Sequence, residues 1–158
     1  MMLRIIITNL WLVIKTSVER QVELQLRDHD VRFTSGRRAV VAELARAEGP
    51  LAAAELHEAL HRKVPLSSIY RSLSVLEHAD VVTPHLGAKG LTRFELSEWL
   101  TGHHHHLVCI DCGSVSDVEL SEQREASVLS LVSEISESAS FRPIDHALEI
   151  EGRCARCA

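Results

Sequence analysis

The chain has 158 residues, of which 46% are hydrophobic and 25% are charged, and its formal net charge at neutral pH is −5. This composition excludes a disordered chain, and the length fits one ordinary domain or two small ones. The negative charge argues at first against a nucleic-acid partner. However, residues 1–80 carry 11 Lys and Arg against 10 Asp and Glu, whereas residues 81–158 carry 6 against 12. This asymmetry predicts two modules with different partners.

The N-terminal segment, residues 1–17, contains an apolar run that is too short to span a bilayer. It also lacks the small-residue cleavage site of a signal peptide. We therefore interpret it as a dispensable extension, and we expect a cytoplasmic protein without a membrane partner.

A winged helix-turn-helix is predicted for residues 18–97. The segments VERQVELQLRDHD, TSGRRAVVAELARAEG, AAAELHEALHRK and SSIYRSLSVLEHAD each space apolar residues at helical intervals. Thr34 is the expected cap of the second helix, and the fourth helix begins at Ser67. Two β-rich runs, VVTPHL and TRFEL, then bracket a glycine-rich tip, GAKG, and so predict a hairpin.

The fourth helix of this plan is the one that would enter the major groove of DNA. Its first turns carry hydroxyl, aromatic and guanidinium side chains, and arginines at the start of the second helix would add salt-dependent phosphate contacts. The alternative is that SSIYR only begins a capped surface helix. The candidate DNA contacts are Arg37, Arg38, Ser67, Ser68, Tyr70 and Arg71.

A second module is predicted after a hinge at residues 98–102. HHLVCI, SVSDVEL and IDHALEIEG have strand-like patterns, and the helix between them places Val128, Leu131 and Ile135 on one side. Residues 103–158 therefore suit a dimerisation unit, since helix-turn-helix proteins usually bind DNA as two-fold dimers. The predicted fold class is α+β, with an N-terminal winged helix-turn-helix domain followed by a small α/β dimerisation domain.

All four cysteines lie in two Cys-x-x-Cys pairs, the complement of a closed tetrahedral zinc site. Structural zinc contributes roughly 10–16 kcal/mol of apparent binding free energy in small peptides, which exceeds the stability expected of a module this small. A redox-active pair and two disulfides are the alternatives. Two complete pairs in one acidic module favour zinc. The proposed ligands are Cys109, Cys112, Cys154 and Cys157.

Four histidines precede the first cysteine pair, in HHHHLVCIDCG. If this segment is extended, His103 and His105 share one face and His104 and His106 share the other, because side chains alternate along a strand. Each face is then half of a metal site, unless the run is only a solvated tract. The candidate partners are His85, Glu95, Asp117, Glu122, Glu125 and His146.

Taken in order, SSIYRSLSVLEHADVV, TRFEL, HHHHLVCIDCG and the terminal Cys-x-x-Cys resemble the ferric uptake regulator (Fur) family over about residues 25–158. The resemblance implies a dimeric, metal-responsive repressor that binds AT-rich inverted repeats in promoters, not an enzyme. It also implies that Tyr70 and Arg71 contact DNA and that the four cysteines hold structural zinc.

The family's regulatory site matches Glu95, His104 and His106, together with one ligand from the DNA-binding domain. The usual position of that ligand falls at Pro50 in this chain. His85 is the nearest replacement.

The resemblance also implies an additional site in the dimerisation domain. Glu122 and Glu125 compete for its helix ligand, and Asp117 matches a carboxylate that peroxide-sensing relatives use. The residues assigned to this additional site are His103, His105, Asp117, Glu122, Glu125 and His146.

A metal shared by the hairpin and the second module would fix the recognition helices of a dimer at the spacing of two DNA half-sites. A His/carboxylate set without thiolate favours Fe(II), with Zn(II) or Mn(II) as alternatives. Rival hypotheses are a peroxide-sensing or zinc- or manganese-sensing member of the same family, and a metal storage or chaperone protein that does not bind DNA. A metal-dependent oxidoreductase or hydrolase is a further rival.

Overall fold

The computed structural model describes residues 17–86 and 90–158. Residues 1–16 of the expected extension and residues 87–89 of the hairpin tip lie outside the described residues. The described part of the chain forms two three-stranded sheets. Within it, no helix combines the length and the apolar character needed to cross a membrane.

The first domain begins with helices whose apolar faces meet in one core. Thr34 caps the second of them, because its hydroxyl accepts a hydrogen bond from the backbone N–H of Arg37 at 3.4 Å. The core includes Val22, Leu26, Val41, Leu56, Ile69, Leu73 and Leu76. The helices are α1 (residues 17–28), α2 (Ser35–Leu44), α3 (Ala53–Ala59) and α4 (Leu66–His78).

The predicted hairpin is present as the wing of this domain. Its strands pair antiparallel, with Thr83 opposite Glu95 and His85 opposite Arg93. Because side chains alternate along a strand, Thr83, His85 and Glu95 share one face of the hairpin. The strands are β1 (Leu51–Ala52), β2 (Val82–Leu86) and β3 (Thr92–Leu96), in the order β1-β3-β2.

A buried arginine holds this hairpin against α3. The Arg93 guanidinium lies 2.5 Å and 3.1 Å from the two carboxylate oxygens of Glu55, and it also donates to the Pro50 carbonyl at 3.1 Å. The Glu55 carboxylate in turn accepts from the backbone N–H of Ala52 at 2.8 Å. The wing is therefore fixed relative to the helices.

The second domain is a small sheet with one long helix. β4 is antiparallel to β5 and parallel to β6, in the order β5-β4-β6. The third strand begins only at Glu149, so His146 precedes it instead of lying within it as expected. The elements are α5 (Glu98–Thr101), β4 (His105–Cys109), β5 (Val115–Val118), α6 (Glu122–Ser138) and β6 (Glu149–Gly152). Together the two domains confirm the predicted α+β class.

The predicted apolar side of α6 is exposed in the single chain. Leu131 and Ile135 are 56% and 57% exposed, and Phe141, just after the helix, is 68% exposed. Ile150 on the sheet is half-exposed. Apolar surface of this extent usually marks an interface with another protein.

The two domains touch where the loop after α2 meets β5. The backbone N–H of Asp117 donates to the Glu48 carbonyl at 3.0 Å. Next to this bond, a Cβ added at Gly49 would lie 2.5 Å from the carbonyl oxygen of Val115. The close approach of loop and strand therefore requires glycine.

Gly49→Ala is expected to lower the thermal midpoint of unfolding by pushing the loop away from Val115. The expected loss of stability is about 1–3 kcal/mol, the usual cost of overpacking. The amide of Asp117 should also exchange faster with solvent. Gly36→Ala is the matched control, because Gly36 lies in α2 with open space around it and alanine there should add about 0.5–1 kcal/mol. Equal stability of the two variants would contradict this account of the loop.

Candidate metal centres

Four cysteine sulfurs form one cluster, which we call the cysteine site. Cys109 ends β4, Cys112 follows in the next turn, and the parallel pairing of β4 with β6 brings the terminal pair, Cys154 and Cys157, alongside. The sulfurs of Cys112 and Cys154 are 3.8 Å apart. A tetrahedral zinc site with Zn–S bonds of ~2.3 Å places its sulfurs ~3.8 Å apart.

The thiols of the cysteine site differ in their readiness to ionise. Backbone N–H groups of Cys112 and Cys154 point at the sulfur of Cys109 and lower the pKa of that thiol to about 6. Contacts with the sulfurs of Cys154 and Cys112 raise the pKa of Cys157 to about 12. Four thiolates in this space need a compensating cation, which Zn²⁺ provides.

A second cluster, which we call the Glu95 site, consists of His85, Glu95, His104, His106 and Asp117. Oε1 of Glu95 lies 2.6 Å from Nε2 of His85. Oε2 of Glu95 lies 3.1 Å from Nε2 of His104 and 3.2 Å from Nε2 of His106. One carboxylate of the wing is thus surrounded by one imidazole of its own hairpin and two of the second domain.

The orientation of the imidazoles in the Glu95 site follows from the backbone. His104 and His106 are two residues apart and point to the same side, as the alternation of the histidine run predicts. The Nδ1–H of His104 donates to the Gly102 carbonyl at 3.0 Å, which leaves its Nε2 directed at Glu95. His85 faces the same space because it shares a face of the hairpin with Glu95.

The Glu95 site is strongly polarised. Burial opposes ionisation of Glu95, but the hydrogen bonds from His106 and His104 and the nearby imidazole of His85 outweigh it and hold the pKa of this carboxyl well below its usual range. The hydrogen bond to Glu95 raises the pKa of His106 against the opposing effect of burial. The site therefore holds an ionised carboxylate surrounded by imidazoles, and both groups are ligands for a divalent cation.

The expectation that Asp117 belongs to the additional site is wrong, because Asp117 lies in the Glu95 site. Its Oδ1 lies 3.7 Å from Nε2 of His106 and 3.9 Å from Nε2 of His104. The reason is the strand register: Asp117 pairs directly with His106 in the antiparallel β4–β5 ladder, so both side chains leave the same face.

A third cluster, which we call the Glu125 site, consists of His103, His105, Glu125 and His146. Oε2 of Glu125 lies 3.0 Å from Nε2 of His105, and its Oε1 lies 2.9 Å from Nε2 of His146. Nε2 of His103 is 3.7 Å from Oε1 of the same carboxylate. His105 is almost fully buried. Hydrogen bonding from His105 lowers the pKa of Glu125.

Of the two competing helix glutamates, Glu125 is the one that reaches the histidines. Glu122 is the first residue of α6 and belongs to neither histidine cluster. Three residues of α-helix correspond to a rise of about 4.5 Å, so Glu122 lies nearly one turn earlier along the helix axis, and its side chain is exposed.

Two buried nitrogens indicate that the histidine clusters suit a cation. Nε2 of His85 and Nε2 of His146 have no hydrogen-bond partner in the part of the chain that the structure describes. Each nevertheless lies within 3 Å of a carboxylate oxygen. A buried polar atom without a partner is costly, and a divalent ion ligated by nitrogen and oxygen together would satisfy both.

The predicted DNA contacts lie together on the first domain. The N-terminal ends of α2 and α4 border a groove lined by Thr34, Ser35, Arg37, Lys63, Ser68 and Arg71. Tyr70 is 55% exposed beside it, and Ser67 is also exposed. Arg38, in contrast, pairs with Glu23 at 3.0 Å and stacks on the ring of Phe33.

A winged-helix domain joined to a small α/β domain, with histidine and cysteine clusters in and beside the second domain, defines a class of metal-binding proteins with a helix-turn-helix plan. Residues 28–151 match the model of the ferric uptake regulator family, and the chain belongs to that family. Its members are metal-responsive regulators.

The chain matches individual relatives over nearly the whole length of each relative. The chain is 36% identical over 139 residues to a ferric uptake regulation protein of Legionella pneumophila, covering 84% of this chain and 96% of the relative. The Vibrio cholerae ferric uptake regulator structure is 28% identical, with a TM-score of 0.69, over 84% of this chain and 98% of the other. A ferric uptake regulator structure from Pseudomonas aeruginosa with manganese is 28% identical, with a TM-score of 0.62, over 84% and 97%.

Proposed function

We propose that this protein is a cytoplasmic transcriptional repressor that binds double-stranded DNA as a homodimer when a divalent metal fills the Glu95 site. The observation that carries the proposal is the composition of that site. His85 and Glu95 belong to the wing, whereas His104, His106 and Asp117 belong to the second domain. When bound, a divalent metal would supply positive charge to the ligands of both domains at once. Metal in the Glu95 site would therefore favour one orientation of the first domain relative to the second.

The domain roles follow from this composition. Residues 18–97 bind DNA, residues 98–102 form the hinge, and residues 103–158 bind metal and dimerise, while residues 1–17 are dispensable. The hinge coincides with the short helix α5. A change in the angle between the two domains therefore changes the spacing of the recognition helices in a dimer.

The surface of the first domain supports DNA binding. Arg37, Ser68 and Arg71 line one groove at the ends of α2 and α4, and Tyr70 is exposed at its edge. Arg37 and Arg71 suit phosphate oxygens and base edges, respectively. Arg38 would contribute only after giving up its partner Glu23. The expected target is an inverted repeat in a promoter.

The surface of the second domain supports dimerisation. Leu131, Ile135 and Ile150 expose about half or more of their surface. A two-fold partner would cover such residues with their own counterparts, as a symmetric interface requires. Burial in the dimer would remove the apolar surface that α6 leaves exposed in the single chain.

The metals differ between sites. The cysteine site suits structural Zn²⁺, because four thiolates leave no open position. The Glu95 site offers only imidazole and carboxylate, which favours Fe²⁺, with Mn²⁺ or Zn²⁺ as alternatives. The similarity to a regulator solved with manganese keeps Mn²⁺ in this group. The expected targets of repression are genes of metal uptake and homeostasis.

Peroxide sensing is a second candidate function, and the position of Asp117 favours it. Its carboxylate lies 3.7 Å from His106, beside the imidazoles that iron-driven oxidation would modify. Mass spectrometry of the iron-loaded protein after peroxide treatment should then find added oxygen on the peptide that contains His104 and His106. An unmodified peptide would exclude this candidate.

Arg71→Ala is expected to weaken binding to DNA by roughly 10–100-fold, the usual effect of removing one base contact. The measurement is fluorescence anisotropy of a labelled duplex from upstream of the protein's own gene, at fixed salt with metal present. The same protein should lose little affinity for a scrambled duplex, because base contacts carry the sequence information.

Arg46→Ala is the matched control for this variant. Arg46 carries the same charge but follows the opposite end of α2, where it pairs with Glu43 at 3.2 Å. It should bind the duplex as the wild type does. Equal affinity of the Arg71 and Arg46 variants would refute the assigned interface, and absence of binding by the wild type would refute the proposed function.

A further inference from the structure

Glu98 makes a contact that the metal clusters themselves do not include. Both oxygens of its carboxylate lie near Nδ1 of His103, at 3.1 Å and 3.2 Å. A carboxylate only accepts hydrogen bonds, so Nδ1 of His103 must carry the proton. The other ring nitrogen, Nε2, faces Glu125 and is left with a lone pair for a metal. Glu98 therefore fixes both the tautomer and the orientation of one ligand of the Glu125 site.

The segment that carries Glu98 is attached to the first domain. The backbone N–H of Ser97 donates to the Val81 carbonyl at 3.0 Å, and the two hydroxyls of Ser97 and Thr83 are 3.1 Å apart. The indole N–H of Trp99 donates to the Asp80 carbonyl at 2.7 Å. Val81 and Asp80 connect α4 to the wing, so the residues on either side of Glu98 are held by the DNA-binding domain.

The members of the Glu125 site, in contrast, all belong to the second domain. His105 lies in β4, Glu125 in α6, and His146 in the segment before β6. The first domain contributes none of these ligands. The bond from His103 to Glu98 is its direct connection to the hinge.

We propose that Glu98 is a positioning residue that holds His103 for metal binding and thereby couples the Glu125 site to the hinge of the DNA-binding domain. The inference deepens the proposed function, since it assigns a regulatory role to the second histidine site. Because Glu98 is half-exposed, its effect comes from orienting the ring and not from a strong ion pair. Coupling between metal binding and ordering of the hinge is reciprocal. If metal in the Glu125 site orders the hinge, that metal also binds more tightly to protein whose hinge is already ordered.

The affinity part is tested with Co²⁺, whose absorption spectrum reports imidazole and carboxylate ligation. The titration uses full-length, zinc-loaded protein carrying His104→Ala, so that the Glu95 site no longer competes. Adding Glu98→Ala should weaken Co²⁺ binding by roughly 10–100-fold, as loss of a group that orients a ligand does. Glu98→Gln should recover most of the affinity, because its amide oxygen still accepts from Nδ1.

Glu122→Ala is the matched control, since it removes a carboxylate from the first turn of α6 that belongs to neither histidine cluster. It should bind Co²⁺ as the parent does. An affinity for Glu98→Ala within about twofold of the parent would overturn the positioning role.

The coupling part is tested by hydrogen exchange of residues 97–102. Filling the Glu125 site with Co²⁺ should slow exchange of this segment in the parent but not in Glu98→Ala at saturating Co²⁺. Equal slowing in both would overturn the coupling. Neither the Co²⁺ titration nor the hydrogen-exchange experiment uses DNA. Failure of the protein to bind a promoter would therefore refute the proposed function, whereas these two experiments decide the role of Glu98 independently.

Discussion

Cys112→Ser is expected to remove tightly bound zinc and to unfold the second domain. The four sulfurs attach the chain terminus to the end of β4, and a serine hydroxyl does not replace a thiolate as a zinc ligand. The remainder of this domain buries little, since Leu131, Ile135 and Ile150 are largely exposed. The binding free energy of structural zinc, roughly 10–16 kcal/mol in small peptides, is therefore comparable to or greater than the stability of the domain.

The measurement is metal analysis of purified protein together with its sedimentation behaviour. The wild type should retain zinc after dialysis and sediment as a dimer, whereas Cys112→Ser should lose both properties. Asp111→Asn is the matched control, because Asp111 lies in the same turn but its carboxylate pairs with Arg153 outside the sulfur cluster. A zinc-free Cys112→Ser variant that stays folded and dimeric would show that the cysteine site is not structural.

His104→Ala is expected to leave a folded dimer whose affinity for DNA no longer rises with metal. His104 precedes β4 and lies outside the cysteine site, so its loss does not disturb the zinc ligands. It does remove one of two imidazoles through which the second domain reaches Glu95. Loss of a residue that only orients a metal ligand typically weakens metal binding by roughly 10–100-fold. Loss of His104, which would bind the metal directly, should weaken it by at least as much.

Thermal unfolding and metal-titrated DNA binding separate the two roles. The His104 variant should melt within a few degrees of the metal-free wild type and show less than about a twofold response to metal. His29→Ala is the control: His29 is an exposed histidine just after α1 and should preserve the full response. An unfolded His104 variant would mean that sensing and folding are not divided between the sites as proposed.

The parts of the site that local sequence predicts are those that depend on local geometry. Two residues along a strand always return to the same face, so the split of the histidine run into His103 with His105 and His104 with His106 follows from the run itself. Two complete Cys-x-x-Cys pairs likewise predict a single cluster of sulfurs. The winged-helix plan follows from helical spacing and the hairpin signal.

The parts that sequence missed depend on register and on contacts between distant segments. Asp117 joins the Glu95 site only because it pairs with His106, and no local pattern specifies that register. The choice of Glu125 over Glu122 depends on where α6 begins relative to β4. The contact between Glu98 and His103 was also missed, because it requires the hinge to fold back on the strand that follows it.

The loop that ends at Pro50 shows how the first domain approaches the second. The loop that ends at Pro50 contributes no side chain to the Glu95 site. The Glu48 carbonyl of this loop accepts a hydrogen bond from the backbone N–H of Asp117. Gly49, which has no side chain, lets the loop approach the backbone of Val115. The first domain therefore reaches this site through the wing residues His85 and Glu95 and through the backbone of a neighbouring strand.

Metal in the Glu95 site is the factor that we propose sets the affinity of the protein for DNA. The most direct test is anisotropy of a labelled duplex from upstream of the protein's own gene, measured with zinc-loaded wild-type protein as Mn²⁺, or anaerobic Fe²⁺, is added. We expect the affinity to rise by about 5–150-fold, the usual range of a coupling free energy between two sites. An affinity that is the same with and without the added metal would contradict the account.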